Sequence, residues 1–128
     1  MAVAWAFSDG GASFAPPAVI PTLPSTFQNS VFWQNSDNFY RHTPSVIDYS
    51  AAQYMIVDRR GKVLVYLTLD AGIFAYEGDL IIHVDDGVID FRGDYYHQLV
   101  LFDAGGNKLP PEFRDKLKVE RVFSHDAN

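Results

Sequence analysis

The 128-residue sequence contains no cysteine, which excludes disulfide frameworks, thiolate metal sites and cysteine nucleophiles. Stability has to come from packing or from assembly. Positive charge is scarce and unevenly placed: all ten lysines and arginines lie at or beyond Arg41, and from Met1 to Ser36 the only ionisable side chain is Asp9. With sixteen acidic residues the formal net charge is -6, and the pI is near 4.9. That balance disfavours a phosphate-backbone binder, which needs a basic face to displace counterions, so nucleic acid is not expected as a partner. No apolar run approaches the roughly 20 residues that span a bilayer, and membrane insertion is not expected. The start, Met1–Phe7, is apolar but lacks the basic flank of a secretory signal and reads as part of the working chain. Catalytic signatures are missing too. There is no G-x-S-x-G elbow and no glycine-rich phosphate loop, and the chain is expected to be no enzyme and to carry no cofactor.

What the sequence does have is apolar matter. Hydrophobic residues make up 48% of the chain and aromatic residues 15%, enough to fill the core of one domain. The nearly uncharged first stretch is broken by Gly10-Gly11, Pro16-Pro17, Pro21 and Pro24, which rules out a continuous helix and disfavours interior strands. It reads as an extended arm over 1–39, ahead of a β domain over 40–128. A solvated tail is normally rich in charge and poor in aromatics. Here Trp5, Phe7, Phe14, Val19, Ile20, Leu23, Phe27, Phe32 and Trp33 need a surface to lie on. Packing on their own domain and docking on another chain both answer that need. Docking is the preferred reading, with Trp5, Phe7, Phe14, Pro16, Pro17, Ile20, Leu23 and Phe27 as the contact residues.

From about Tyr40 short apolar runs alternate with glycine and aspartate, the pattern of roughly six to eight antiparallel strands. Asp58-Arg59-Arg60-Gly61 and Asp103-Ala104-Gly105-Gly106-Asn107 are hairpin signals, with glycine at the positive-φ position. Leu80, Ile82 and Val84 alternate with Ile81, His83 and Asp85, as in a strand with one buried face. Tyr95 to Phe102 is apolar on both faces, which suggests a central strand. After Pro110-Pro111 the sequence predicts a short helical turn over Glu112–Lys116 and a last strand over Leu117–Val122.

Polar constellations are weak. Asp79, Asp85, Asp86, Asp90 and Asp94 could serve a hard cation, but their spacing fits no calcium loop and aspartate is an ordinary turn former, so no metal site is expected. His42, His83, His97 and His125 lack the close spacing of a zinc motif, although His83 and His97 would be neighbours if their strands paired. Arg92-Gly93-Asp94 is the integrin-recognition triplet, placed where a turn is needed anyway.

Four segments carry a resemblance: Ile47-Asp48-Tyr49-Ser50-Ala51-Ala52, Arg60-Gly61-Lys62-Val63-Leu64, Leu80-Ile81-Ile82-His83-Val84 and Gly93-Asp94-Tyr95-Tyr96-His97-Gln98-Leu99. Over roughly Tyr40 to Phe123 the chain resembles tailed-bacteriophage virion proteins. More narrowly, it is similar to the small immunoglobulin-like domain at the N-terminus of baseplate upper proteins. It departs from that family's I-D-L-(S/T)-G-A start at Tyr49 and Ala51, where leucine and glycine are usual. The resemblance implies an all-β fold, an antiparallel immunoglobulin-like β-sandwich. It also implies a structural protein of the virion, in the tail, neck or head-to-tail region, whose partners are other virion proteins and copies of itself in a symmetric assembly. A capsid decoration protein is the nearest alternative, and a carbohydrate-binding module for host glycans is the alternative from another class.

Overall fold

A computed structural model of the protein describes residues 22–122, together with the backbone of two short paired strands, Trp5–Phe7 (β1) and Asp9–Gly10 (β2). The other strands are Val31–Trp33 (β3), Asn38–His42 (β4), Ala51–Val57 (β5), Val63–Leu69 (β6), Gly72–Tyr76 (β7), Asp79–Val84 (β8), Gly93–Phe102 (β9) and Phe113–Glu120 (β10). The fold is all-β, with no helix among the described residues.

These eight strands form one mixed sheet in the order β3-β10-β9-β5-β6-β7-β8-β4, curled until it is nearly a barrel. An immunoglobulin-like sandwich has two separate antiparallel sheets; here the hydrogen-bonded order is continuous, and two pairs run parallel, β3 with β10 and β6 with β7. The second is a corner. Only Thr68–Leu69 and Gly72–Ile73 pair, Thr68 and Ala71 exchange backbone hydrogen bonds of 3.1 and 2.9 Å, and Asp70 takes a positive φ of 67°. Gly72, at φ 104°, has Leu67 against it so closely that a Cβ there would lie 2.7 Å from a leucine methyl carbon. The chain turns here with no room for a side chain.

Alternation sets the core. Ala52, Tyr54 and Ile56 of β5 face inward, and their partners on β9 are Leu101, Leu99 and His97. Leu80, Ile82 and Val84 of β8, Val65 of β6, Ile73 of β7, Ile89 of the β8–β9 loop and Leu117 and Val119 of β10 join them in the interior. As the apolar pattern predicts, β9 lies inside the sheet, between β5 and β10.

Both hairpin signals form their turns. Asp58 Oδ1 accepts the N–H groups of Arg60 and Lys62 at 2.8 and 2.9 Å, and Asp103 Oδ1 accepts those of Gly105 and Asn107 at 3.0 and 2.8 Å. The β7–β8 hairpin carries no such signal. Its central residues Glu77 and Gly78 have φ of 50° and 83°, a type I′ pattern usually announced by Asn-Gly or Asp-Gly. The helical turn predicted for Glu112–Lys116 is replaced by strand. Phe113, Leu117 and Val119 point inward in steps of two or four while Arg114, Lys116 and Lys118 point outward, and this period-two pattern overrides the proline signal.

The expected boundary between residues 39 and 40 falls inside β4. Phe32, from the expected arm, is fully buried in the domain core, and Phe39 of β4 is buried on the other face of the sheet, against His83. The reason lies in how the sheet closes. Its two edge strands, β3 and β4, are consecutive in the chain and joined by a tight turn, and the buried Asn38 side chain spans the gap. Its Oδ1 accepts the Trp33 N–H at 2.8 Å, and its Nδ2 donates to the carbonyls of Trp33 and Ser36 at 2.9 and 3.0 Å. One amide does the work of a short ladder. Around it, Gln34 N–H donates to Glu120 O and Asn35 N–H to Ile89 O, each at 2.8 Å, tying the turn to the ends of β10 and the β8–β9 loop.

Candidate functional site

Of the eight residues expected to dock a partner, Phe14, Pro16, Pro17 and Ile20 lie outside the described residues, as do the side chains of Trp5 and Phe7. Leu23 is half-buried, and Phe27 packs on its own domain, its ring 5.7 Å from the Arg41 guanidinium. Arg41 is held in turn between Phe27 and Tyr76 and bonded to Asp79 at 2.6 Å. Hydrogen bonds from Thr43 and Arg41 hold the Asp79 carboxyl below its usual range. Gln28 donates its N–H to Phe39 O at 2.7 Å and accepts the Phe39 N–H through Oε1 at 2.8 Å. From Phe27 onward the uncharged stretch is therefore fastened along β4.

The three described histidines occupy three unlike settings. His97 is inside, on β9, sharing a 2.9 Å hydrogen bond with the Tyr54 hydroxyl and ringed by Phe32, Tyr40, Tyr54 and Phe113. Burial lowers its pKa to about 4, against a smaller upward pull from Asp115. The imidazole is neutral at pH 7. His42 caps the other end of β4 against Glu112, at 3.0 Å, and Glu112 also accepts the Ser45 N–H at 2.7 Å and the Ser45 hydroxyl. Burial raises the Glu112 carboxyl, but these hydrogen bonds outweigh it and leave it below the ordinary value. Ser45 donates to a carboxylate rather than to an imidazole, so the trio clamps a loop and does not activate a hydroxyl.

His83 and His97 do not become neighbours. Strand β8 pairs with β4 and β7, whereas β9 pairs with β5 and β10, and residue 83 alternates to the outer face. There its ring stacks on Phe39, centroids 4.2 Å apart and 13° from parallel. Its Nε2 lies 3.1 Å from Asp37 Oδ1 and 3.2 Å from Asp85 Oδ1. The three ligand atoms all lie within 4.8 Å of one another. Asp37 is fixed by the Asp86 N–H, which it accepts at 3.1 Å. Of the five aspartates singled out in the sequence, Asp85 alone enters this trio; Asp79 binds Arg41, and Asp94 faces Arg59 at 3.8 Å. Asp37 carries no signal in the sequence because it closes the uncharged stretch. It is the first charge after Asp9 and sits in a turn.

The Arg92-Gly93-Asp94 triplet opens β9, with Gly93 at φ 123° and the Tyr95 hydroxyl donating to Arg92 O at 2.8 Å. A turn with positive φ explains the glycine.

A second outward feature spans β3, β10 and β9. Residues Arg114, Lys116 and Lys118 line up along the outer face of β10, with Gln98, Tyr96 and Asp94 opposite them on β9 and Val31 opposite Lys118 on β3. Between them runs a groove of about 640 Å³ lined by Val31, Arg59, Tyr96, Lys116 and Lys118. Trp33, 41% exposed, lies opposite Glu120 farther along β10, in a separate depression with exposed Val122. Farther round the domain Ile47, the first residue of the motif likened to phage proteins, is 95% exposed. No family model, curated protein or solved structure matches the chain.

Proposed function

We propose that the protein is a structural docking module that displays side chains on the outside of a filled β-domain and performs no chemistry. Its place is the virion of a tailed bacteriophage, in the tail, neck or head-to-tail region, where it contacts other virion proteins and copies of itself. The observation that carries this reading is the outward display of Trp33, Tyr96 and Val122 on one face, on a domain whose interior is occupied by packed side chains. Large aromatics that reach solvent around a groove are what a partner-binding surface uses. The N-terminal stretch, with Asp9 as its one charge before Asp37, supplies further apolar contact residues.

For the fold we favour kinship with immunoglobulin-like sandwiches. The corner at Asp70–Ala71 supports it by dividing the sheet into a five-strand side, β3-β10-β9-β5-β6, and a three-strand side, β7-β8-β4.

Counting copies in purified particles by quantitative mass spectrometry tests the placement. About six to twelve copies fit a tail or neck part, hundreds point to a capsid decoration protein, and absence from particles ends the virion reading. The docking face has its own test: Trp33→Ala with Tyr96→Ala should leave the fold intact and remove the protein from its assembly, and undiminished incorporation would refute the role given to that face. Tyr96 opposite Lys116, and Trp33 opposite Glu120 farther along β10, also suit a sugar ring. Silence of the isolated protein across a broad glycan array would remove that second reading.

A further inference from the structure

We infer that Asp37, His83 and Asp85 form a binding site for a divalent first-row transition ion of the zinc type, at the place where the sheet closes. Three features carry it. First, the ligand atoms converge: one imidazole nitrogen faces two carboxylate oxygens at 3.1 and 3.2 Å. A neutral imidazole nitrogen has either one proton or one lone pair. Its proton could satisfy only one of the two carboxylates well, and its lone pair would satisfy neither, whereas a cation among the three atoms serves all of them at once. Second, the donors come pre-arranged. Phe39 stacks on the His83 ring and leaves it 16% exposed, and the Asp86 N–H fixes Asp37. Third, the donor set selects the metal. One imidazole and two carboxylates suit zinc and its neighbours, with water free to take the remaining positions, whereas calcium and magnesium prefer oxygen alone.

The location gives the ion a task. Asp37 belongs to the turn between the edge strands β3 and β4, and Asp85 begins the loop that leads from β8 to β9. An ion shared by them would fasten the closing turn to that loop, beside the hydrogen bonds from Gln34 to Asp90 O and from Asn35 to Ile89 O. Binding to the folded state alone would raise the unfolding temperature as ion concentration increases.

The test is calorimetric titration of the untagged full chain with zinc chloride at pH 7.5, with calcium chloride and magnesium chloride run in parallel. One saturable equivalent of zinc is expected, with a rise in Tm and no comparable response to the other two ions. Asp37→Asn, His83→Gln and Asp85→Asn should each weaken zinc by at least about tenfold. Asp90→Asn, whose carboxylate lies outside the trio, should not. Asp85 is well exposed, so its variant keeps the test open should His83→Gln fold poorly. Imidazole ¹⁵N spectra should show the zinc-induced shift at His83 and none at His42 or His97. Lack of saturable binding, binding that survives all three substitutions, or a shift at another histidine would overturn the site and leave a simple imidazole–carboxylate ion pair.

Discussion

The middle of the sheet and its seam are held together by different physics. In the middle, β5, β9 and β10 pair over long antiparallel registers, so their backbone groups bond one another and their inward side chains need only be apolar and complementary. At the seam, β3 and β4 are edge strands whose facing backbone groups have no such ladder. Side chains hold this region instead: Asn38 joins β4 to Trp33 of β3, Gln28 fastens the preceding segment to Phe39, and Gln34 ties the turn to Asp90. An alternating pattern specifies the first kind of structure in many interchangeable ways. The second kind depends on individual polar residues, and it is also where the domain brings the His83 trio together.

The largest test of this contrast asks whether the seam is part of the domain at all. Phe32 lies on β3, within the stretch whose sequence reads as an arm, yet it is fully buried among core residues. Phe32→Ala should destabilise the protein by about 3–5 kcal/mol, the usual cost of removing a buried aromatic ring. Urea unfolding measures it. A loss below about 1 kcal/mol would mean that β3 is an appendage and that the core stands without it.

The uncharged composition runs on past the point where the folded domain begins. Prolines and missing charge mark the first 24 residues, but the absence of charge continues to Ser36 although β3 begins at Val31. A three-residue strand is too short to show a period, and its parallel partner, β10, lies more than eighty positions away in sequence. The interior strands were legible because β5, β8 and β9 each run six residues or more, β5 with alternating burial and β8 and β9 with apolar runs buried on both faces, and because Asp58-Arg59-Arg60-Gly61 uses ordinary turn chemistry. The metal trio was illegible for the same reason as β3. Asp37 and His83 are 46 residues apart and meet only through the pairing of β4 with β8, which puts Phe39 opposite His83. No spacing rule captures such a meeting.

Interior and seam also part company under acid. His97 has a folded pKa lowered to about 4 by burial, against 6.5 for the free side chain. Between those values the unfolded chain binds the proton and the folded one does not, so stability falls as pH drops from 6.5 towards 4 and this loss is complete below it. At roughly 1.4 kcal/mol per pKa unit the change is about 3 kcal/mol. Urea midpoints at pH 7 and pH 4.5 should show most of it. In His97→Phe the part due to this residue should vanish, and an unchanged pH slope in that variant would assign acid sensitivity elsewhere.

The smaller effects begin with the change most specific to the seam. Asn38→Ala removes one side chain and leaves the Trp33 N–H and carbonyl without the partners that close the sheet. Orphaned buried backbone groups cost about 1–3 kcal/mol, and because water can reach the exposed turn beside them a net loss of about 2 kcal/mol is expected. Hydrogen exchange makes the location visible. Protection should fall at Trp33 and Asn35 and persist at Tyr54 and Leu99, since the antiparallel ladders of β5 and β9 do not involve Asn38. Arg59→Ala, in the exposed turn between β5 and β6, supplies the contrast away from the seam. Arg59 is exposed and only 3.8 Å pairs it with Asp94, so its loss should change stability by less than about 0.5 kcal/mol. If Arg59 and Asn38 proved equally dispensable, the seam would be closed by packing alone, and the distinction between a region held by its ladder and one held by its side chains would disappear.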